Sequence, residues 1–395
     1  MRTVLLTGPA GAGRSTLAAA TALAAARAGR RTLLLSADPE DTPGAALGTP
    51  TGDTPVTAAP GLTVLRPDTA ARFRTGLLRL QDQAAPVLDL LGAARLDDEE
   101  LTPLPGAAEL ALLHALHEAA AGPYELLVVD LPATAEALAA LARPAQLRRY
   151  LRRLLPAERQ VASALRPVLG RLAGVPVPTD RIYAAAQRWD LELAAVQGVL
   201  ADPETTVRLV AEPGPAAADA LHTATAGLAL YGLRVDGLLA NRVLPDEADG
   251  WLAGPVAQQR KALDGWRAAA DAGGTGAVPV RTVRHLGRDP RGTEDLAALD
   301  VPAPPAAPPP VTWPVADRRA EDGVLVWRIP LPGARREELG LVRRGDELVV
   351  TVGAFRRIVE LPSALRRCTV VGAGLRDGEL GVRFRPDPDL WPRRD

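Results

Sequence analysis

A glycine-rich turn between an apolar strand and an alanine-rich helix narrows the choice of folds for this chain more than any other stretch. Residues 8–16 (GPAGAGRST) form that turn. It fills the phosphate-wrapping pattern G-x-x-x-x-G-K-[ST] at Gly8, Gly13 and Ser15, but Arg14 stands where the pattern has lysine. The spacing therefore predicts a nucleotide-binding protein, and the arginine leaves open whether ATP is turned over.

The first 300 residues alternate between short apolar strands and helical stretches. The strands contain few polar positions, as expected for a parallel sheet that is covered on both faces. This alternation predicts an α/β fold of the P-loop NTPase type, a doubly wound parallel sheet with helical insertions at about residues 69–120 and 136–200. The predicted buried strands are residues 31–36, 124–129, 206–211 and 235–240.

Three polar side chains lie within two residues of the ends of predicted strands. In open α/β sheets ligands bind beyond the carboxyl ends of the strands. Asp38 is there, facing the phosphate loop, although an aspartate in a turn before proline is the structural alternative. Asp130 has the position of an aspartate that supports a magnesium shell, with a strand-end cap as its alternative. The amide of Asn241 both donates and accepts hydrogen bonds, which suits recognition of adenine.

The character of the chain changes after residue 300. Residues 301–319 include a proline-rich, semi-rigid linker (VPAPPAAPPPVTWP). Short strands separated by Gly and Asp turns follow, and this spacing predicts an all-β sandwich over residues 320–395. The expected domains are therefore residues 1–300, the linker and the C-terminal sandwich.

Composition and charge exclude several classes. The formal net charge of −1 argues against a nucleic-acid partner. Cys368 is the only cysteine, which excludes an intramolecular disulfide and a multi-cysteine metal site. No apolar run reaches the roughly 18 residues of a membrane span, and the first strand begins almost at once, without a signal peptide. We expect a cytoplasmic protein that is not integral to a membrane.

Residues 1–300 resemble the ATPases related to the arsenite-pump ATPase (ArsA) and to the targeting factor for tail-anchored membrane proteins, within the deviant-Walker (MinD-like) P-loop group. Residues 322–384 resemble the α-crystallin-like (small heat-shock protein-like) domain of some bacterial and plastid members. The motifs that carry the first resemblance are the loop at 8–16, Asp38-Pro39, Pro105-Gly106, the strand ending at Asp130, residues 200–206 (LADPETT) and residues 241–245 (NRVLP). Those that carry the second are residues 330–333 (PLPG), 344–348 (RGDEL) and 361–365 (LPSAL).

The resemblance implies a dimer that opens and closes with ATP and Mg²⁺ and holds a hydrophobic protein client in a groove of its helical insertions. By that resemblance Asp38 positions or activates the attacking water. Ser15 binds the magnesium ion, and Asp130 supports its coordination shell. A homodimer is expected, with a heterodimer formed with a paralogue as the alternative. The implied nucleotide-binding residues are Gly8, Gly11, Ala12, Gly13, Arg14, Ser15, Thr16 and Asn241.

The departures from the family pattern bear on catalysis. The signature lysine of the loop is Pro9, which carries no charge, and the second lysine is Arg14, whose planar guanidinium is not a point charge. Lys261 is the only lysine of the chain, so Arg14 also fits a chain-wide preference for arginine. Leu131 follows Asp130 where the family has a hydroxyl side chain. Contacts of this kind are worth about 10³-fold or more in rate, which predicts slow or absent hydrolysis.

Three interpretations remain open from the sequence. The favoured one is an ATP-binding dimeric switch with impaired hydrolysis. The others are an active ATPase of the same family and a nucleotide-independent scaffold or chaperone-like binding module. Arsenite sensing is disfavoured, because trivalent arsenic needs several thiolates and Cys368 supplies one.

Overall fold

A computed structural model of the chain describes residues 1–154, 179–247, 250–272 and 278–391. The part of the predicted 136–200 insertion between 155 and 178 lies outside these residues. The chain divides into two compact units. The first unit comprises Met1–Leu6, Arg14–Thr205 and Arg288–Pro304, and the second comprises Thr7–Gly13, Thr206–Gly287 and Pro305–Asp395.

The sheet of the first unit has the strand order β3-β4-β2-β5-β1. Strand β1 pairs with β5, β5 with β2 and β2 with β4 in parallel, whereas β3 pairs antiparallel with β4. Strands β1, β2 and β5 are buried at every residue, and most of their side chains are apolar. The strands are β1 (Arg2–Thr7), β2 (Thr32–Ser36), β3 (Val56–Ala59), β4 (Leu62–Leu65) and β5 (Leu126–Asp130).

The helix Thr69–Leu91, α3, begins and ends where the sequence provides caps. The side chain of Asp68 accepts a hydrogen bond from the backbone nitrogen of Ala71 and opens α3, and Gly92, with φ 65°, closes it. The longer helices are α1 (Arg14–Arg27), α2 (Thr42–Leu47), α3 (Thr69–Leu91), α4 (Ala107–Ala120), α5 (Thr134–Leu154), α6 (Thr179–Ala201), α7 (Pro215–Tyr231), α8 (Ala253–Ala272) and α9 (Gly292–Ala298).

The second unit contains the parallel strands β6 (Thr205–Ala211), β7 (Val235–Val243) and β8 (Val280–Arg284), in that order. Strand β7 is longer than the predicted 235–240. Its pairing with β8 resumes at Val243, so Asn241 lies within the strand rather than after it.

The C-terminal part of the second unit holds two antiparallel sheets, of orders β14-β15-β10-β9 and β11-β12-β13. Side chains alternate inward along β12, where Leu348, Val350 and Val352 are buried. The strands are β9 (Val315–Arg318), β10 (Val324–Pro330), β11 (Leu339–Arg344), β12 (Glu347–Val352), β13 (Phe355–Glu360), β14 (Cys368–Arg376) and β15 (Glu379–Pro386). The predicted fold class, a large, mostly parallel sheet with helices and a C-terminal all-β part, is confirmed. The domain limits stay a prediction.

Helix α7 carries the β11-β12-β13 sheet against its C-terminal end. The Arg357 guanidinium donates to the carbonyl oxygen of Leu230 at 2.7 Å and lies 4.9 Å from the centre of the Trp313 ring. Tyr231 packs edge-on against Phe355, with ring centres 6.4 Å apart. Burial lowers the pKa of the Arg357 guanidinium below its ordinary value. A partly buried cation on the terminal carbonyls of a helix is a favourable arrangement, because the helix dipole is negative there.

Candidate nucleotide-binding site

The glycine at the start of the phosphate loop is required by a close backbone approach. A Cβ atom on Gly8 would lie 1.9 Å from the carbonyl oxygen of Val210 and 2.9 Å from its carbonyl carbon. Val210 is held on β6 by its pairing with Leu239 of β7. A methyl group at position 8 would therefore clash with strand backbone, which cannot rotate away as a flexible side chain can.

The other two glycines of the loop are required for different reasons. Gly11 has φ 76° and open space where a Cβ would be, so the left-handed backbone alone favours glycine there. Gly13 has φ 83°, and a Cβ would lie 2.3 Å from the amide nitrogen of Asn241. The backbone nitrogen of Ala12 donates to the carbonyl oxygen of Pro9 at 3.3 Å and closes the turn.

Asn241 contacts the loop itself. Its amide nitrogen donates to the carbonyl oxygen of Ala12 at 2.8 Å, and the residue is 5% exposed. The predicted contact of Asn241 with adenine is not tested by this geometry and stays a prediction. The next residue, Arg242, donates to the carbonyl oxygen of Gly11 at 3.0 Å. Arg242 is not among the site residues predicted from the sequence, although an arginine directly after the predicted adenine-binding asparagine was an available signal.

Arg14 turns toward the segment that follows β5. Its guanidinium donates to the carbonyl oxygen of Leu131 at 2.6 Å, and its side chain is partly buried. Arg14, which stands where the phosphate-loop pattern has lysine, thus binds a backbone carbonyl group of the first unit. A guanidinium has several N–H donors in a fixed plane, so this bond restricts where the others point.

Asp130, the last residue of β5, is the most perturbed carboxyl group of the site. The parallel register places Ser36 of β2 beside it, and the Ser36 hydroxyl donates to Oδ2 at 2.9 Å. Oδ1 is buried and has no hydrogen-bond partner among the described residues. Burial raises the pKa of Asp130 to about 6, although Ser15, Ser36 and the charge of Arg14 oppose the rise. A buried, perturbed carboxyl group at a strand end is a candidate functional group.

Asp38 lies two residues after β2 and is linked to the same network. Its backbone nitrogen donates to the Ser36 hydroxyl at 3.1 Å. Its carboxylate accepts from the backbone nitrogens of Thr42 at 2.9 Å and Glu40 at 3.4 Å. These bonds order the turn that leads into α2. The predicted action of Asp38 on a water molecule stays a prediction.

Ser15 and Asp130 fit a magnesium ion by their chemistry. A hydroxyl and a carboxylate are the hard oxygen donors that Mg²⁺ prefers, and the Oδ1 atom of Asp130 is a buried acceptor without a donor. No group of three or more His, Cys, Asp or Glu side chains suited to a metal occurs among the described residues. An ion held here would therefore take further oxygens from phosphates and water, as Mg²⁺ commonly does.

We expect Asp130→Asn to stabilise the magnesium-free protein at pH 8 and to leave its stability near pH 4 little changed. The pKa of Asp130 rises from 3.8 to about 6 on folding. Its contribution to stability is therefore full below pH 3.8 and is lost as the pH rises through 6. The loss is on the order of 2–3 kcal/mol, and a neutral amide avoids it. Urea unfolding in chelator at several pH values measures the difference.

The control is Asp246→Asn, at a largely exposed side chain that pairs with Arg260. It should leave the pH dependence of unfolding as it is. Unfolding curves of Asp130→Asn and wild type that stay parallel from pH 4 to pH 8 would contradict the expected cost of ionising Asp130.

A family model described as "Anion-transporting ATPase" matches residues 1–282. The chain belongs to this family, the ArsA ATPases. A second model, described as an HSP20-like domain found in ArsA, matches residues 322–384. The resemblance stated from the sequence is thereby confirmed for both parts of the chain.

Three relatives cover nearly the whole length of this ArsA-family chain. The Streptomyces coelicolor protein SCO2128 is 67% identical over all of both chains. The Mycobacterium tuberculosis protein Rv2184c is 36% identical over 99% of this chain and 97% of its own. An Aquifex aeolicus protein, named as a candidate arsenical pump-driving ATPase, is 26% identical over 93% of this chain and 95% of its own. Among the described residues, no helix has the length and apolar character to cross a bilayer.

Proposed function

We propose that this ArsA-family chain is an ATP-binding, dimeric switch of the cytoplasm that handles a hydrophobic protein client and hydrolyses ATP poorly. The observation that carries the proposal is the bond from Arg14 to the carbonyl oxygen of Leu131, 2.6 Å long. A lysine at this position acts as a point charge on the β- and γ-phosphates. Arg14 instead donates a hydrogen bond to the protein backbone, and Pro9 contributes no charge.

The elements for binding a nucleotide support the first half of the proposal. The loop has the tight turn and the positive-φ glycines of a phosphate cradle. Ser15 and Asp130 would hold magnesium, which neutralises the charge of the β- and γ-phosphates when bound. Asp38 would position the attacking water, and the amide oxygen of Asn241 would accept from the adenine amino group while its nitrogen stays on the loop.

Family membership supports the proposed dimer, and the helical insertions support the proposed binding of a hydrophobic client. Two described helices of the second predicted insertion are fixed to one another by Arg148, which pairs with Asp190 at 2.9 Å and donates to Gln197 at 2.6 Å. Apolar side chains on these helices that remain exposed include Tyr150, Leu154, Trp189 and Leu191. A hydrophobic client segment would bind such side chains.

A calorimetric titration with ATP, with and without Mg²⁺, alongside measurement of phosphate release, tests the function. We expect magnesium-dependent binding with release near background. The double variant Pro9→Lys/Arg14→Lys should raise release about tenfold, because it adds a cation at position 9 and replaces the planar guanidinium at position 14 by a compact ammonium group. Arg260→Lys, at an exposed arginine away from the loop, is the control for lysine substitution.

The outcomes separate the three interpretations. Ready release by the wild type that Asp38→Asn abolishes would establish an active ATPase and refute impaired hydrolysis. Absence of binding at millimolar ATP would leave the scaffold or chaperone-like module. Light scattering with and without ATP tests the dimer, and a species that stays monomeric with bound ATP would contradict the switch.

A further inference from the structure

Two consecutive residues of β7 hold two consecutive carbonyl groups of the phosphate loop. Asn241 donates to the carbonyl oxygen of Ala12 at 2.8 Å, and Arg242 donates to that of Gly11 at 3.0 Å. All four residues belong to the second unit. Neighbours along a regular strand point to opposite faces, so two successive side chains do not normally reach the same loop.

A break in the strand explains the exception. The pairing of β7 with β8 runs regularly to Ala240 opposite Thr282 and resumes at Val243 opposite Arg284. Two residues of β7 therefore face one of β8, which is the arrangement of a β-bulge. Arg242 has φ 55°, a left-handed conformation that costs a non-glycine residue free energy. Bulges re-aim side chains, and here the re-aimed side chain is that of Arg242.

The two bonds determine the direction of the neighbouring N–H groups. A trans peptide is planar, and its C=O and N–H point in opposite directions. Holding the carbonyl of Ala12 therefore directs the N–H of Gly13 away from Asn241. In the same way, holding the carbonyl of Gly11 orients the N–H of Ala12, which closes the turn on Pro9.

We propose that Asn241 and Arg242 are positioning residues, a two-point clamp that orders the phosphate loop for the polyphosphate of a nucleotide. The role in binding rests on the proposed function, whereas the ordering of the loop does not. Arg242 also brings positive charge to a loop whose second residue is Pro9. Glu212 lies 3.4 Å from the Arg242 guanidinium and steadies it without burying it.

Hydrogen exchange of the ligand-free full chain, followed by mass spectrometry, tests the ordering. We expect the amides of residues 10–13 to exchange about five- to tenfold faster in Arg242→Ala and in Asn241→Ala. Arg260→Ala removes an exposed arginine that pairs with Asp246 and should leave these amides unchanged. Arg242→Lys keeps a donor and should restore much of the protection. Exchange equal to wild type in Arg242→Ala would overturn the clamp.

Titration with sodium tripolyphosphate, ATP and adenosine separates the clamp from base recognition. If Asn241 positions the loop, Asn241→Ala weakens the binding of tripolyphosphate as well as that of ATP. If it weakens ATP alone, Asn241 acts only on adenine and the clamp is overturned. Should the wild type bind none of these compounds, the proposed function fails while the exchange measurement still decides the clamp. Should Asn241→Ala not fold, Arg242→Ala carries both arms.

Discussion

Replacing Gly8 by alanine is expected to destabilise the chain by about 3 kcal/mol or more, the largest effect of any single methyl group in the phosphate loop. The new Cβ would lie 1.9 Å from the carbonyl oxygen of Val210. If the neighbouring atom belonged to a side chain, that side chain could rotate away, but the carbonyl group of a strand paired into a sheet cannot. Either β6 is displaced or the loop loses its conformation, so nucleotide binding falls together with stability. Chemical unfolding and the ATP titration measure the two effects.

Gly52 provides the matched control for Gly8. It has no positive φ and nothing within 4 Å of its Cβ position, so Gly52→Ala should be neutral or slightly stabilising. Gly11→Ala is intermediate, because it meets no atoms but has φ 76°. A Gly8→Ala protein as stable as Gly52→Ala would show that the close approach of the loop to Val210 does not occur.

Removing the Arg357 side chain is expected to loosen the β11-β12-β13 sheet from α7, at a cost of about 2 kcal/mol. The side chain makes a charge-assisted bond to the Leu230 carbonyl and stacks on Trp313. The cost of burying the guanidinium offsets part of this gain. Arg357→Ala should speed proteolysis of the proline-rich stretch 301–314 and hydrogen exchange at the C-terminal end of α7.

The adjacent Arg356 is the control for this second prediction. Its guanidinium reaches only the Thr351 hydroxyl, at 3.4 Å, among the described contacts, and its bond with Tyr231 is made by the backbone carbonyl. Arg356→Ala should therefore change neither proteolysis nor exchange. If both variants behave alike, Arg357 does not hold the sheet to the helix.

Features that depend on neighbouring residues were predictable from the sequence, and features that depend on pairing between distant residues were not. We could predict the phosphate loop, the apolar strands and the position of Asp130 at a strand end, because turns and buried strands depend on the types of neighbouring residues. The end of β7 was predicted three residues early. The strand continues through a bulge that depends on pairing with β8, some forty residues further along the chain.

The family, the order of the two folds and the loss of both loop lysines could be read from the residues alone. The partners of the arginine side chains could be read only from the folded chain. Arg14 meets the carbonyl of Leu131, Arg242 that of Gly11 and Arg357 that of Leu230. This is because an arginine side chain is long and its N–H donors can bond to any well-placed carbonyl oxygen. Its partner is therefore the backbone carbonyl that the fold brings within reach, and residue spacing along the chain does not predict which carbonyl that is.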